Sequence, residues 1–351
     1  MGENHLVEYA GGEAGMARPA GRRRAVTLHD VAREAGVAVS TVSRALSDPQ
    51  RVNARTREHV SAVAQRLGYR PNRLAQALPT GRTGMLAVLV PDITNPHNFG
   101  LVRGAEAQAR AAGSTLVIAD TQESPELEAA HLDRLGSSVD GFVLASSRLT
   151  DADLHELAER FPVVLFNRRV EGLPSLATDS ADGSRQIVEH LAALGHRSIA
   201  YLAGPSAAWS DGERWRALSA AAEAAGVAVV RCGPFPPTLD GGPAAADIGL
   251  STGATALVAF NDLLAIGVLR RLADRGVEVP GRVSVVGFDD IFGADFCHPP
   301  LTTVAGPVEE AGRALVDVLL ADRAVAPTMT LPTHLRIRAS TGPPPPPGSG
   351  A

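Results

Sequence analysis

Three hydroxyl side chains and one arginine fall within five residues near the start of the chain, at Ser40, Thr41, Ser43 and Arg44. Hydroxyl groups donate and accept hydrogen bonds with phosphates and base edges, and an arginine can bind guanine through two parallel hydrogen bonds. One such bidentate pair discriminates against the wrong base by about 1–3 kcal/mol. Displayed on one face of a helix, these residues predict contact with a nucleic acid.

The surrounding residues predict three short helices that would position this set. Thr27 is a capping residue for the first helix, and Gly36 ends that helix. Asn53 is a capping residue for the third helix, which ends at Gly68. The predicted helices span Leu28–Ala35, Val39–Leu46 and Arg55–Leu67.

Apolar residues recur at helical spacing through this segment and predict a compact three-helix core. Gly36 permits a tight turn, and the small Ala32 and Val37 allow the first two helices to cross closely, which is typical of a helix-turn-helix. An ordinary helical hairpin inside a bundle is the alternative. The expected core residues are Val31, Ala35, Val37, Val42, Ala45, Leu46, Val60, Val63 and Leu67.

The charge is distributed unevenly along the chain, although the net formal charge is only −5. Residues 22–82 contain twelve Arg and four acidic residues, which gives +8. The other residues contain 21 basic and 34 acidic side chains, which gives −13. A basic head on an acidic body is the pattern expected of a small domain that meets phosphate, and a solvated basic surface is the alternative.

From Met85 onwards, short apolar runs alternate with helical stretches of 10–15 residues, as parallel βαβ units require. One seven-stranded sheet is possible, but two smaller doubly wound sheets fit the length better. The predicted strands are Met85–Val90, Thr115–Ala119, Gly141–Leu144, Val163–Phe166, Ser198–Ala203, Ala256–Phe260 and Val283–Phe288.

Several classes of protein lack support in the sequence. No run of 18 apolar residues and no apolar segment in residues 1–24 is present, which predicts a cytoplasmic protein and disfavours an exported binding protein. Cys232 and Cys297 are the only cysteines, so two buried thiols are expected and neither a disulfide framework nor a metal site. An enzyme on a doubly wound fold is a rival, yet no P-loop, nucleophile elbow or dinucleotide-binding fingerprint supports it. No cofactor is expected.

Four separated stretches of the chain closely resemble the LacI/GalR-type family of regulators, across roughly residues 26–340. They are Val26–Leu46 with its continuation Gly68–Leu78, then Val90–Pro96, Val286–Asp290 and Pro300–Val304. The resemblance implies an α-helical helix-turn-helix DNA-binding head and an α/β two-lobed sensor domain like the periplasmic binding proteins. It also implies a double-stranded DNA operator as partner and a small-molecule effector.

By this resemblance, Val39 and Ser40 occupy operator-discriminating positions, and Asn72–Leu78 looks like a hinge helix whose Leu78 enters the minor groove. Ala38 departs from the usual serine cap, and Pro79 ends the hinge sharply. The expected DNA-binding residues are Thr27, Val39, Ser40, Thr41, Ser43, Arg44, Asn53, Arg55, Tyr69, Asn72, Arg73, Gln76 and Leu78.

The resemblance places the effector between the two lobes, at the carboxyl ends of the strands. Asp262 is alternatively a helix cap and Trp209 alternatively core, while His97 and Asn98 stand where the family usually carries an aromatic pair. The expected effector-binding residues are His97, Asn98, Asp120, Arg168, Trp209, Arg214, Phe235, Asn261, Asp262 and Asp289.

Carboxylates, two arginines and amides suit a neutral polyhydroxylated ligand, so a sugar or nucleoside is expected first and a purine second. The implied protein is a repressor that binds a palindromic operator as a homodimer or higher oligomer. Two alternatives stay open at this point: the protein activates transcription, and the effector acts as a co-repressor and not as an inducer. The expected divisions are a disordered extension (1–24), the head (25–70), hinge helix and linker (71–82), the effector-binding and dimerisation domain (83–341) and a disordered Pro-rich tail (342–351).

Overall fold

The computed structural model describes residues 26–47, 51–69, 82–321 and 327–346. It divides into two compact units, Met1–Gln76 and Ala77–Ala351. The predicted N-terminal extension, almost all of the predicted hinge helix and linker, and the last five residues lie outside the described ranges.

The first unit contains the three predicted helices, α1 (Leu28–Ala35), α2 (Val39–Ser47) and α3 (Ala54–Leu67). The Thr27 hydroxyl accepts from the backbone N–H of Asp30, whose carboxylate accepts from the Thr27 N–H in return, so the two residues form a capping box. The three helix predictions and both predicted caps are confirmed.

The Asn53 cap and two glycines fix the ends of these helices. Asn53 Oδ1 accepts from the Thr56 N–H at 2.9 Å. Gly36 and Gly68 take left-handed φ values of 64° and 66°, which glycine adopts without strain. The head core is formed by Val31, Ala32, Ala35, Val42, Ala45, Val60, Val63 and Ala64.

The second unit contains two six-stranded sheets, each the centre of one lobe, as the two-sheet prediction expected. The seven predicted strands are present within one residue at each end, and β5, β7, β10, β11 and β12 were not predicted. The strands are β1 (Met85–Val90), β2 (Thr115–Asp120), β3 (Phe142–Ala145), β4 (Val163–Phe166), β5 (Ser175–Thr178), β6 (Ser198–Leu202), β7 (Ala228–Cys232), β8 (Ala256–Ala259), β9 (Ser284–Phe288), β10 (Thr302–Ala305), β11 (Thr328–Leu331) and β12 (His334–Arg336).

Helices separate most of the strands, and none of those in the described ranges is long and apolar enough to cross a membrane. They are α4 (His97–Ala111), α5 (Pro125–Leu135), α6 (Asp151–Arg160), α7 (Ser180–Ala193), α8 (Trp209–Ala224), α9 (Gly242–Ser251), α10 (Asp262–Asp274) and α11 (Val308–Leu320), with a 3₁₀ turn at Leu239–Gly241.

The chain passes between the lobes three times. The first sheet has the order β11-β5-β4-β3-β1-β2 and is parallel throughout. The second has the order β12-β10-β9-β8-β6-β7 and is parallel except where β12 pairs with β10. The first lobe is therefore completed by α11 and β11, which follow nearly all of the second lobe along the chain.

The packed chain continues beyond the boundary predicted at residue 341. The Gly342 N–H donates to Ser284 Oγ at 3.1 Å, and the Gly342 carbonyl accepts from His196 Nε2 at 2.9 Å. Pro344 lies close to Gly195. Residues 342–346 thus belong to the second lobe, and the expectation of disorder from residue 342 was wrong for them.

Helices α4 and α11 pack with their backbones in close approach. A Cβ added at Gly104 would overlap the carbonyl oxygen of Glu309, and one added at Gly312 would overlap that of Leu101. Backbone cannot yield as the end of a flexible side chain does, so only glycine fits at these two positions.

Gly104→Ala should lower the stability of the second unit by about 1–3 kcal/mol, because the added methyl forces α4 and α11 apart. The measurement is the thermal and urea unfolding of the full-length chain. Gly212→Ala is the matched control: it lies in α8, where an added Cβ meets nothing nearer than 3.9 Å, so alanine should gain about 0.5–1 kcal/mol. Equal effects of the two changes would contradict this account.

Candidate nucleic-acid interface and interlobe cleft

The polar residues predicted on α2 lie on the side of the helix that faces away from the head core. Val42 and Ala45 are buried, and Ser40, Ser43 and Arg44 are exposed. The predicted face is therefore available for contact with DNA.

Val39 and Thr41 are less accessible than this face. Both are half-buried, and Val39 packs against the head core. Val39 therefore has less surface available for a base contact than the exposed Ser40 next to it.

The other predicted DNA-binding residues have mixed surroundings. Thr27 and Asn53 use their side-chain oxygens as caps, and Arg55 is exposed next to the start of α3. Tyr69 packs against the head core, and this burial raises the pKa of its phenol. The remaining four, Asn72, Arg73, Gln76 and Leu78, lie outside the described residues.

A cleft opens between the two lobes of the second unit, where the carboxyl ends of strands from both sheets face each other. It encloses only about 50 Å³ of free volume. The first lobe contributes Pro91, Asp92, Asn95, His97, Asn98, Glu123, Ser146, Arg148 and Asn167, and the second lobe contributes Ser210, Arg214, Pro237, Phe260, Asn261 and Asp289.

Arg214 and Asp289 form a buried ion pair at the centre of this cleft. Arg214 Nη2 donates to Asp289 Oδ1 at 3.1 Å, and Nη1 donates to the carbonyl of Phe260. The guanidinium carbon lies 4.9 Å from the ring centroid of Phe260 and 4.3 Å from that of Phe288. These contacts compensate for the removal of the charge from water.

His97 approaches the same carboxylate from the opposite lobe. Its Nδ1 lies 3.6 Å from Asp289 Oδ1, which is too far for a hydrogen bond, and its ring stacks on Phe166. Within the described residues, His97 Nδ1 and Arg214 Nε are buried side-chain atoms without a hydrogen-bond partner. Asp289 has a φ of 111°, a backbone strain of the kind that is maintained at functional sites.

A second ion pair lines the cleft from the first lobe. Arg148 Nε donates to Glu123 Oε2 at 2.7 Å, and Arg148 Nη1 donates to the carbonyl of Ser146 at 2.5 Å. The backbone N–H of Arg148 donates to Glu128, and burial raises the pKa of the Glu128 carboxyl. Neither Glu123 nor Arg148 was predicted from the sequence.

Five of the ten predicted effector residues line the cleft: His97, Asn98, Arg214, Asn261 and Asp289. Asn98 Nδ2 donates to the carbonyl of Asp92 at 2.8 Å, so its amide also shapes the loop after β1. Asn261 donates to the Pro237 carbonyl and caps α10 by accepting from Leu264 N–H.

Asp262 and Phe235 point into the second lobe and do not line the cleft. Asp262 is completely buried and accepts from Thr303 Oγ1 at 2.6 Å and from the Ile291 N–H at 2.9 Å. Burial raises the pKa of Asp262 well above its usual range. The cap of α10 is Asn261, so the capping alternative for Asp262 was wrong by one residue. Phe235 belongs to the hydrophobic core.

Three more predicted effector residues, Asp120, Arg168 and Trp209, are absent from the cleft lining of the described structure. The Asp120 carboxylate accepts from the N–H groups of Ile93 and Gln122, so it organises a turn. Arg168 pairs with Asp151 at 2.6 Å. Trp209 is half-buried at the start of α8 and belongs to none of the core clusters among the described residues.

The lining residues missed by the sequence interpretation follow strands that it had identified. Ser146 and Arg148 follow β3, and Asn167 follows β4 directly. Ser146 and Asn167 have positive φ values of 49° and 50°, as turns at strand ends allow. The carboxyl-end rule for parallel sheets, applied to every predicted strand, indicates all three.

No group of three His, Cys, Asp or Glu side chains within the described ranges could hold a metal ion. Both cysteines are free thiols; Cys232 is buried and Cys297 is half-buried, and burial raises the pKa of each. The side chains that line the cleft offer hydrogen-bonding and ionic groups.

Two family models match the chain: "Bacterial regulatory proteins, lacI family" at residues 27–72 and "Periplasmic binding protein-like domain" at residues 188–341. The HTH-type transcriptional regulator DegA of Bacillus subtilis (strain 168) is 33% identical over 331 residues, which cover 90% of this chain and 98% of DegA. The chain belongs to the LacI family of transcriptional regulators. It is a DNA-binding regulator and not an enzyme.

Other members of the LacI family show the same correspondence. The HTH-type transcriptional repressor CytR of Escherichia coli (strain K12) is 32% identical, over 84% of this chain and 89% of CytR. The lac repressor dimer bound to operator and the anti-inducer ONPF matches with a TM-score of 0.82 at 29% identity, over 91% of this chain and 100% of that one. The complex of the transcriptional regulator CelR with cellobiose matches with a TM-score of 0.67 at 31% identity, over 90% of this chain and 99% of that one.

Proposed function

We propose that this LacI-family regulator is a repressor that binds a palindromic operator as a dimer and releases it when a neutral, polyhydroxylated metabolite enters the interlobe cleft. The observation that carries the proposal is the exposed face of α2, which presents Ser40, Ser43 and Arg44. The opposite face of the helix buries Val42 and Ala45 in the head core. Operator binding places the protein at the nucleoid, in the cytoplasm.

The proposed dimer uses an apolar patch on the first lobe, formed by α4 and β2. Ile93, Phe99 and Ile118 are 48%, 52% and 41% exposed, and with the half-buried Val102 they form one surface. Sheet edges and large apolar patches on a folded domain are covered in most stable proteins.

A second copy of the chain is the occupant that the charges on this patch favour. Arg103 and Glu106 lie beside it on α4, in exposed pairs with Glu309 and Arg110. A two-fold arrangement can exchange these exposed pairs for contacts between the arginine of each protomer and the glutamate of the other. The solved relative bound to operator is a lac repressor dimer.

The proposed effector is uncharged, because each arginine of the cleft is already paired with a carboxylate. Arg148 is held by Glu123 and Arg214 by Asp289. A phosphate or carboxylate group would have to compete with these acids and would meet their repulsion. Hydroxyl groups have both donor and acceptor capacity, and can therefore bind ion pairs without separating them.

The aromatic rings at the cleft favour a sugar over a purine. Phe260 is buried against Gly204 and the Arg214 guanidinium, and His97 stacks on Phe166. Little ring surface remains for stacking a base. The unpartnered Arg214 Nε and His97 Nδ1 are satisfied most simply by ligand hydroxyl oxygens.

The proposed switch follows from the narrowness of the cleft. Ligand sites commonly have volumes of about 300–1,000 Å³, whereas this cleft encloses about 50 Å³. A cavity of about 650 Å³ adjoins the cleft at His97 and Asp289. We expect a ligand centred on Arg214 to separate the lobes, whereas one held in the adjoining cavity need not. In a dimer, separation of the lobes changes the spacing of the two DNA-binding segments and shifts the population away from the operator-competent state.

Selection of bound sequences from random DNA should recover an inverted repeat. Arg44→Ala should relax the base preference at one symmetric pair of positions in that repeat and weaken specific binding by about 1–3 kcal/mol. Arg33→Ala is the matched control, since Arg33 lies on α1, is highly exposed and pairs with Asp30. The control should keep the selected sequence. Unchanged specificity of Arg44→Ala would remove this residue from direct readout, and recovery of no inverted repeat would refute operator binding.

A thermal-shift and calorimetric screen of neutral mono- and disaccharides, their phosphates, nucleosides and purines should find a neutral sugar that binds and weakens operator affinity. Asp289→Asn should reduce its affinity by about tenfold or more, because a charged hydrogen-bond acceptor is lost at the cleft centre. Asp120→Asn, outside the cleft, should bind like the wild type. Tighter binding of a phosphate or a purine would overturn the proposed ligand class.

The double change Phe99→Glu and Ile118→Arg should convert the dimer to a monomer, because it places charges in the centre of the proposed interface. Analytical ultracentrifugation measures the mass at micromolar concentration. Ile248→Arg is the control, because Ile248 is 46% exposed on the other lobe. Dimers that survive the double change would place the interface elsewhere.

A further inference from the structure

Two residues just before β1 are held by one carboxylate. Asp140 Oδ1 accepts from the Thr83 N–H at 2.6 Å and from Thr83 Oγ1 at 2.8 Å, while Oδ2 accepts from the Gly84 N–H at 2.9 Å. Three hydrogen bonds to one ionised group make a strong local anchor, since charge-assisted hydrogen bonds are about twice as strong as neutral ones.

Gly84 and the following Met85 are also hydrogen-bonded to residues at the start of neighbouring strands. The Gly84 carbonyl accepts from the Thr115 N–H at 2.8 Å, and the Met85 carbonyl accepts from the Asp140 N–H at 2.7 Å. Gly84 has a φ of 68°, so the chain turns there in a conformation that favours glycine. Thr83 and Gly84, called the junction from here on, are thus held at the edge of the first sheet before β1 begins.

Two adjacent strands connect this junction directly to the cleft. β1 begins one residue after Gly84 and leads to Pro91 and Asp92, and β3 begins two residues after Asp140 and leads to Ser146 and Arg148. The strands are paired in parallel from Ala87–Phe142 to Leu89–Leu144. Their amino ends carry the anchor and their carboxyl ends carry ligand-binding positions, about 20 Å apart at 3.3 Å per residue.

We propose that Asp140 is a positioning residue for allosteric coupling: it makes the chain at Thr83 and Gly84, just before β1, move with the first lobe. The inference rests on the proposed function, because it concerns how a change at the cleft reaches the operator-binding segment. Two hydrogen-bonded central strands rotate with their lobe as one body. Thr83 follows that rotation as far as it stays bonded to Asp140, whereas Gly84 is also held by Thr115 of β2.

A merely structural role for Asp140 is the competing explanation, and it makes a different forecast. If Asp140 only stabilises the lobe, its loss lowers the melting temperature and leaves the effector's influence on DNA binding intact. If it positions the junction, the ligand still binds but its effect on the operator is weakened. Coupling is measured as the ratio of operator affinities without and with effector.

The experiment uses the full-length chain with Asp140→Asn and with Thr83→Val, which removes one hydroxyl donor while keeping the backbone. Asp133→Asn on α5 is the control, because Asp133 is exposed and pairs only with Arg160 among the described residues. The probes are the inverted repeat recovered by selection, the neutral sugar found in the screen, and trypsin, with cleavage between Arg82 and Thr83 followed by mass spectrometry.

In Asp140→Asn we expect cleavage after Arg82 to be at least about fivefold faster than in the wild type. The operator-affinity ratio should fall by about three- to tenfold. The sugar affinity in the absence of DNA should stay within about twofold of the wild-type value. Thr83→Val should shift both readouts in the same direction by less. A wild-type ratio in Asp140→Asn, or a cleavage rate equal to that of Asp133→Asn, would overturn the proposal. If the wild type selects no inverted repeat, the proposed function fails. The coupling role of Asp140 fails with it, and faster cleavage in Asp140→Asn than in Asp133→Asn then shows only that Asp140 anchors Thr83.

Discussion

Arg214 carries a positive charge although only 5% of its surface is exposed, and contacts within the second lobe stabilise the guanidinium in this buried position. Its Nη groups bind Asp289 and the Phe260 carbonyl, and two phenylalanine rings cover the guanidinium. Removing one partner from a buried ion pair costs several kcal/mol, because the remaining charge stays desolvated. The partner carboxylate stands on a backbone with a φ of 111° at Asp289, and it also faces His97 of the other lobe.

The helices and most strands were predictable because their signals are local. Thr27, Asn53 and two left-handed glycines set the helix ends of the head, and Leu86–Val90 is buried throughout, as expected for a strand covered on both faces. The missed strands lack such a signal. β11 is a polar, largely exposed edge strand, and its pairing with β5 joins residues about 150 positions apart.

The cleft was predictable in its location but not residue by residue. Asn261 lines it, whereas Asp262 is turned into the lobe, and Asn167 lines it while Arg168 turns outwards to Asp151. Side chains one residue apart at a strand end point to opposite sides, so an error of one position exchanges a ligand-binding group for a structural one. The Glu123–Arg148 pair joins two different loops, and only the assembled sheet brings them together.

The return of α11 and β11 to the first lobe has a consequence for protein synthesis. The core of that lobe includes Leu315 and Val316, and its outer strand includes Met329, so these pieces emerge from the ribosome after nearly all of the second lobe. Until they emerge, α4 and β5 present uncovered backbone and apolar surface. The first lobe therefore begins before the second but stays incomplete until α11 and β11 emerge, and its exposed state must persist through the translation of more than a hundred further residues after β5.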